Sequence, residues 1–388
     1  MLMDGSTGVA PPAIGFFAPA TTEQTSMARP SASATRVRPA NDHSADRRSD
    51  RFLAGLHNAS RVTFVAHIHP DPDAIGSMMG LAHLVETCLG KPTRLTRDGL
   101  INRAENRALV ELLHVELWPV EKLNWCDDEA VVMVDSQPKT GRHNLNGGMP
   151  IYGVIDHHAT PGALNGIKFI DVRPNLGATC SLVTRYLIEQ EIPLPDDLAT
   201  ALLYGIETEL SGYPREASSL DDSAVQYLHP LADKDLLARI RNARLPQGYF
   251  ECILQALQSS FIYDRLIISW VNDMPQPELA AEVCDFMIRY EAVDWAVCAG
   301  VCGDKLVISA RSSLREAEAG ELLRAAVGRM GKAGGHSRRA GGCIKLAGKS
   351  VDDVQSELRR RLLKYLKIDE CRGQRLVKLS EILENLQS

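Results

Sequence analysis

The tripeptide Asp156-His157-His158 closes the apolar run Ile151-Tyr152-Gly153-Val154-Ile155. A second acid–imidazole cluster, His67, Asp71 and Asp73, closes another such run about ninety residues earlier. An apolar run that stops abruptly at ionisable side chains reads as a buried parallel strand whose C-terminal end meets a crevice. Two such ends converge on one crevice. Histidine nitrogens and carboxylate oxygens gathered there form the donor set that holds a pair of divalent ions. A third run, 130–134, ends in Asp135-Ser136 and brings another acid to a strand end. Singly, these residues have bland roles: Asp73 as a helix N-cap, His67 as a satisfied core histidine, Asp135 as a cap or loop residue. Together their charges repel by roughly 1 kcal/mol or more per close pair even in a wet site, and a cation resolves this. The reading is a metal-dependent hydrolase.

Composition bounds that reading. A chain of 388 residues is too long for one ordinary core and suits two domains plus extensions. Its 45% hydrophobic and 24% charged residues are those of an average globular chain. A net charge of -6 argues against a dedicated nucleic-acid coat protein and leaves room for a local basic pocket. Nine scattered cysteines, an odd number, make no disulfide framework. The close pair Cys298 and Cys302 suits a buried strand better than zinc ligation. No stretch reaches about 18 uninterrupted apolar residues, so no membrane span is expected. The N-terminus lacks a secretory pattern, and a cytoplasmic location follows by default.

Patterning divides the chain. Residues 1–50, rich in Ala, Ser, Thr, Pro and Arg without periodicity, read as a disordered leader. A short helix is expected at 52–58. Strands are then expected at 61–66, 130–134, 151–155 and 167–171. Helices are expected at 74–89, 105–113, 178–190 and 197–204. Strands interleaved with helices predict an α/β, doubly wound, mostly parallel sheet over 51–230. Residues 231–262 read as a helical connector broken at Pro246-Gln247-Gly248. Over 263–366 the texture predicts a smaller α/β domain with a mixed sheet. Its strands fall at 266–271, 295–302 and 305–310, the last two joined as a hairpin by Gly303-Asp304. The Gly-rich segment 331–342 is read as lying between a helix and a strand at 343–346. Residues 367–388 read as a charged tail, helical at 379–386.

Three segments, VAHIHPDPDAIGS at 65–77, VVMVDS at 131–136 and VIDHHAT at 154–160, resemble in order and spacing the first three motifs of the DHH phosphoesterase superfamily. SARSS at 309–313 followed by GKAGGHSRRAGG at 331–342 resembles the DHH-associated C-terminal domain. The nearest subgroup is that of short RecJ-like proteins, which degrade oligoribonucleotides of a few residues and dephosphorylate 3′-phosphoadenosine 5′-phosphate.

The resemblance implies an active site in the cleft between the domains with two Mn2+ ions, Mg2+ being a substitute. His67 and Asp71 would hold one ion, Asp73 and His157 the other, and Asp135 would bridge both. His158 would contact a phosphate oxygen, and Asp156 would orient the imidazoles without touching metal. The family's fourth motif departs here: Glu209 stands where an aspartate ligand is expected, and its bland role is an ion pair with Arg215. In the second domain Gly334 and Gly335 would let backbone amides approach a ligand. His336 and Arg311 would grip a terminal phosphate, with Arg338 and Arg339 adding charge. The implied substrate is a short oligonucleotide or nucleotide, with no membrane, no long duplex DNA, and a homodimer as the assembly. The rival readings are a cyclic-di-AMP or linear dinucleotide phosphodiesterase, an inorganic pyrophosphatase or exopolyphosphatase, and a non-catalytic nucleotide-binding protein.

Overall fold

The computed structural model describes residues 47–145, 149–159, 162–210, 217–335, 337–369 and 372–377. Nearly all of the expected leader, His336, Arg215 and the helix expected at 379–386 lie outside the described residues.

The first sheet comprises β1 (Arg61–Val65), β2 (Thr93–Arg97), β3 (Leu117–Pro119), β4 (Glu129–Val134), β5 (Ile151–Asp156) and β6 (Phe169–Val172). Its order is β3-β2-β1-β4-β5-β6, and every pairing is parallel. β4 is buried at every position, as a strand covered on both faces must be, hence its unbroken apolar run. The helices on this sheet are α1 (Arg48–Ala54), α2 (Pro72–Leu89), α3 (Ala104–Leu112), α4 (Thr179–Glu189) and α5 (Asp196–Leu210). Side chains of α2, α4 and α5, among them Ile75, Leu182 and Leu202, share one core with Phe64 of β1 and Val132 of β4. From β1 the chain winds outward through β2 and β3, then returns to lay β4, β5 and β6 on the other side. The strand order reverses between β1 and β4, and a doubly wound sheet opens a crevice at such a point.

Two local outcomes differ from the sequence reading. Strands β2 and β3 were not expected: TRLTR is half-polar, LWP is only three residues long, and both are mostly only partly buried. The N-cap of α2 is Asp71, whose Oδ1 accepts from Ala74 N at 3.0 Å, so Asp73 is not the cap. Pro72 supplies the pre-set φ of the first helical position. Gly90, at φ 61, ends the helix.

Helices α6 (Ser219–Leu228), α7 (Lys234–Arg241) and α8 (Gln247–Gln258) lead to the second sheet. This sheet holds β7 (Phe261–Tyr263), β8 (Leu266–Val271), β9 (Trp295–Cys302), β10 (Lys305–Ser312), β11 (Gly331–Gly335), β12 (Arg339–Lys345) and β13 (Gln374–Arg375). In the order β11-β12-β10-β9-β8-β7-β13 only β8 and β9 run parallel, so the sheet is mixed. Gly303, at φ 59, turns β9 into β10 as expected. The Gly-rich segment is itself an edge hairpin, with Gly334 opposite Gly341. It escaped detection because glycines carry no apolar alternation. Gln374 and Arg375, within the expected tail, pair with β7. Helices α9 (Leu279–Met287), α10 (Ala319–Val327) and α11 (Val351–Leu366) complete this part. Among the described residues no helix is long and apolar enough to cross a membrane.

Candidate metal centre

The crevice between β1 and β4 collects the predicted ligands because each follows a strand end or opens a helix there. His67 lies just past β1, Asp71 and Asp73 start α2, Asp135 follows β4, and His157 follows β5. Asp135 adopts a left-handed backbone, φ 53, with its amide donating to Ile155 O at 2.9 Å. A side chain in that region costs of order 1–3 kcal/mol and persists where surrounding structure holds it.

The Asp135 carboxylate is shared. Its Oδ2 lies 3.4 Å from His67 Nε2, which is 3.5 Å from Asp71 Oδ2. Its Oδ1 lies 3.4 Å from His157 Nε2, which is 3.7 Å from Asp73 Oδ2. Two half-sites, His67–Asp71 and His157–Asp73, thus meet on one carboxylate.

Hydrogen bonds set both imidazoles for metal. His67 Nδ1 is 2.9 Å from Ile68 O, and His157 Nδ1 is 3.2 Å from Leu176 O. A carbonyl only accepts, so each Nδ1 carries the hydrogen and each Nε2 offers its lone pair to the carboxylates when neutral. His67 Nε2 is buried without a hydrogen-bond partner. Lone pairs facing carboxylate oxygens require a cation between them. Without metal, a proton takes that place. Burial opposes charge on His67, but Asp71 and Asp135 hold its pKa well above 6.5. Burial likewise pushes Asp71 up, yet His67 holds it below the usual carboxylate range. Asp73 is pushed well above that range by burial and then by Asp135, Glu209 and Asp71. This donor set, imidazole and carboxylate without thiolate, fits manganese or magnesium better than zinc–thiolate chemistry.

His158 has a different setting. Its Nδ1 donates to Asp156 Oδ1 at 2.8 Å, while Asp156 Oδ2 accepts from Gln137 Nε2 at 2.8 Å. Burial opposes ionisation of Asp156, but His158 and Gln137 hold its pKa down. With Nδ1 committed, His158 presents Nε2 for chemistry.

Sequence reasoning missed Gln137, Thr179 and Cys180. Thr179 N and Cys180 N donate to Asp73 Oδ2 and Oδ1 at 2.8 and 2.7 Å. Thr179 Oγ1 donates to Asp135 Oδ1 at 2.9 Å. Hydroxyls, carboxamides and backbone amides occur everywhere, so no spacing marks them.

A cleft of about 990 Å³ adjoins the centre, lined by Asp71, Arg103, Tyr204, Glu209, Asp285 and Arg339 among others. Glu209 lies near the end of α5, close enough to Asp73 to raise its pKa. Arg311 is buried, with Nε donating to Asp285 Oδ1 at 2.6 Å and Nη1 to Ser309 Oγ and Ala310 O at 3.0 Å. Gly334 and Gly335 sit in β11, and the Arg338 carbonyl accepts from Ser312 N. Of the neighbouring arginines, Arg339 lines the cleft.

Residues 61–206 match the DHH family, N-terminal domain. The chain carries a DHH family domain. Every candidate ligand except Glu209 lies inside that domain. An uncharacterized protein of Methanocaldococcus jannaschii is 31% identical over 316 residues, covering 79% of this chain and 64% of that protein. A probable manganese-dependent inorganic pyrophosphatase of Streptococcus agalactiae is 26% identical over 148 residues, 38% of this chain and 47% of that protein. The chain therefore spans less than two thirds of either relative. An exopolyphosphatase-related protein from Bacteroides fragilis shares the fold beyond the DHH domain. The two superpose with a TM-score of 0.68 at 16% identity, over 82% of this chain and 96% of that one.

Proposed function

We propose that this protein is a manganese-dependent phosphoesterase that hydrolyses short nucleotide phosphodiesters to mononucleotides and also acts on 3′-phosphoadenosine 5′-phosphate. The observation that carries the proposal is the division of one carboxylate, Asp135, between His67 and His157. A single ion needs no such symmetric arrangement; a pair bridged by one residue does. His67, Asp71 and Asp135 would hold one ion, and His157, Asp73 and Asp135 the other, with Glu209 completing it. Two such ions lower the pKa of a shared water and neutralise charge on a phosphoryl oxygen.

The chain's own residues supply the rest. Asp156 orients His158 and stabilises positive charge on it, so that Nε2–H meets a phosphoryl oxygen as charge develops there. The size of the cleft supports a substrate larger than pyrophosphate. At about 990 Å³ it stands at the upper end of the roughly 300–1,000 Å³ of small-ligand pockets. A bare pyrophosphate would leave most of it empty, whereas a dinucleotide would occupy more of it. Arg339 and Arg103 line the cleft and can pair with phosphates. Gly334, Gly335, His336 and Arg338 would bind the far phosphate. Arg311, held by Asp285, would support that end.

The likeness to a pyrophosphatase over 148 residues supports pyrophosphate as the second reading. The deciding experiment compares kcat/KM for a labelled diribonucleotide, cyclic di-AMP, 3′-phosphoadenosine 5′-phosphate and pyrophosphate with Mn2+. The proposal expects the diribonucleotide to be cut fastest. Turnover of pyrophosphate alone would overturn it.

A further inference from the structure

Helix α4 begins with an anomaly. Its N-cap is Ala178, whose side chain cannot accept a hydrogen bond, although Ser, Thr, Asp or Asn there would stabilise it by about 1 kcal/mol. The first amides of the helix instead go to a residue far away in sequence: Thr179 N and Cys180 N clamp the two oxygens of Asp73. The same short segment touches two more candidate ligands. Thr179 Oγ1 donates to Asp135 Oδ1, and Leu176 O receives the Nδ1 hydrogen of His157. Asp73, Asp135 and His157 come from three separate elements, and residues 176–180 touch all three.

We propose that Thr179 is a positioning residue for the dinuclear centre, setting the orientation of the bridging Asp135 and clamping Asp73. The inference rests on the metal-centre reading above. Thr179 is fully buried, so its hydroxyl has no water to turn to. Donation to Oδ1 occupies one direction at that oxygen and fixes the direction left for a metal. The segment is itself anchored. Gly177 N donates to Asp221 Oδ2 at 2.9 Å, and Asp221 also closes the capping box of α6 with Ser218. A Cβ at Gly177 would lie 2.4 Å from Leu210 Cδ2 and 3.2 Å from Asp221 Oδ2, so the segment packs closely against α5 and the Asp221 carboxylate. The anchor on α6 lies outside the DHH domain match.

The test uses the full chain stripped of metal, titrated with Mn2+ and read by the electron paramagnetic resonance of the free ion, with no substrate present. The unsubstituted protein should bind two ions. Thr179→Val, which keeps the shape and removes the hydroxyl, should weaken at least one by about 10–100-fold, and Thr179→Ser should restore most of the affinity. In turnover, Thr179→Val should lower kcat and leave KM nearly unchanged. Thr179→Ala, if Thr179→Val does not fold by circular dichroism, carries the same expectation. Wild-type affinity and stoichiometry in Thr179→Val would overturn the inference, as would a loss in Thr179→Ser equal to that in Thr179→Val. If the unsubstituted protein binds no Mn2+, the metal-centre reading falls as well, so the two failures are distinguishable.

Discussion

Asp156 Oδ1 lies 2.8 Å from His158 Nδ1, and this contact holds the imidazole in the tautomer that presents Nε2. The two half-sites that share Asp135 are built from His67, Asp71, His157 and Asp73, which leaves His158 for the phosphate in the proposed assignment. His158→Ala should lower kcat by about 10²–10⁴-fold, the range for a positioned proton donor, while Mn2+ stoichiometry stays at two. Asp156→Asn, which can invert the tautomer, should lower kcat with metal retained. Loss of Mn2+ binding in His158→Ala would show that His158 is a ligand.

Asp135 faces both half-sites, so its removal should act on both ions. Asp135→Ala is expected to abolish turnover and to reduce tightly bound Mn2+ below two per chain, measured by equilibrium dialysis. Retained binding of both ions would refute a bridging role.

Protons and metal compete for this centre, and the sign of the pH dependence follows. His67 has a raised folded pKa in the metal-free protein. Its stabilising contribution is complete below the ordinary value of 6.5 and is lost as pH rises through the raised one. Asp73 is also raised, so its ionisation costs stability in the same direction. Asp71 is lowered, and its contribution is lost only as acid carries pH down through its depressed value. The Tm of the metal-free protein should therefore fall as pH rises past 6.5, while Mn2+ affinity rises over the same range. Calorimetry in buffers of different ionisation enthalpy should register proton release on binding. A metal-free Tm that climbs with pH would contradict the assignment.

Helix α5 approaches the metal centre through Gly205. A Cβ there would lie 2.6 Å from Cys180 Sγ, 2.9 Å from Pro72 O and 3.1 Å from Asp73 Cα. Backbone cannot yield cheaply, so Gly205→Ala should destabilise by about 1–3 kcal/mol in urea unfolding and displace Asp73 enough to weaken Mn2+ binding. A neutral substitution on both readouts would mean the helices separate freely.

Legibility in the sequence followed burial and residue type. Strands covered on both faces, such as β4 and β8, announced themselves as apolar runs. The half-polar strand Thr93–Arg97 and the glycine hairpin of β11 and β12 did not. Both exist because a neighbouring strand offers its hydrogen bonds, which no local pattern records. Helix α6 was missed too, although Ser218 and Asp221 spell a capping box, because its apolar face is small. In the centre, His67, Asp71, Asp73, Asp135 and His157 were readable because ionisable groups at the ends of apolar runs are costly without a purpose.

The chain alone determined the alternating strands and helices, the two sheets and the acids and imidazoles at strand ends, since these depend on periodicity and on which side chains can be buried. Tertiary structure decided which oxygen of Asp135 faces which histidine, that Asp71 rather than Asp73 caps α2, and that the amides of α4 serve Asp73. Those outcomes are hydrogen-bond choices made within a few tenths of an ångström, between groups whose separation exists only once the sheet has closed the distance.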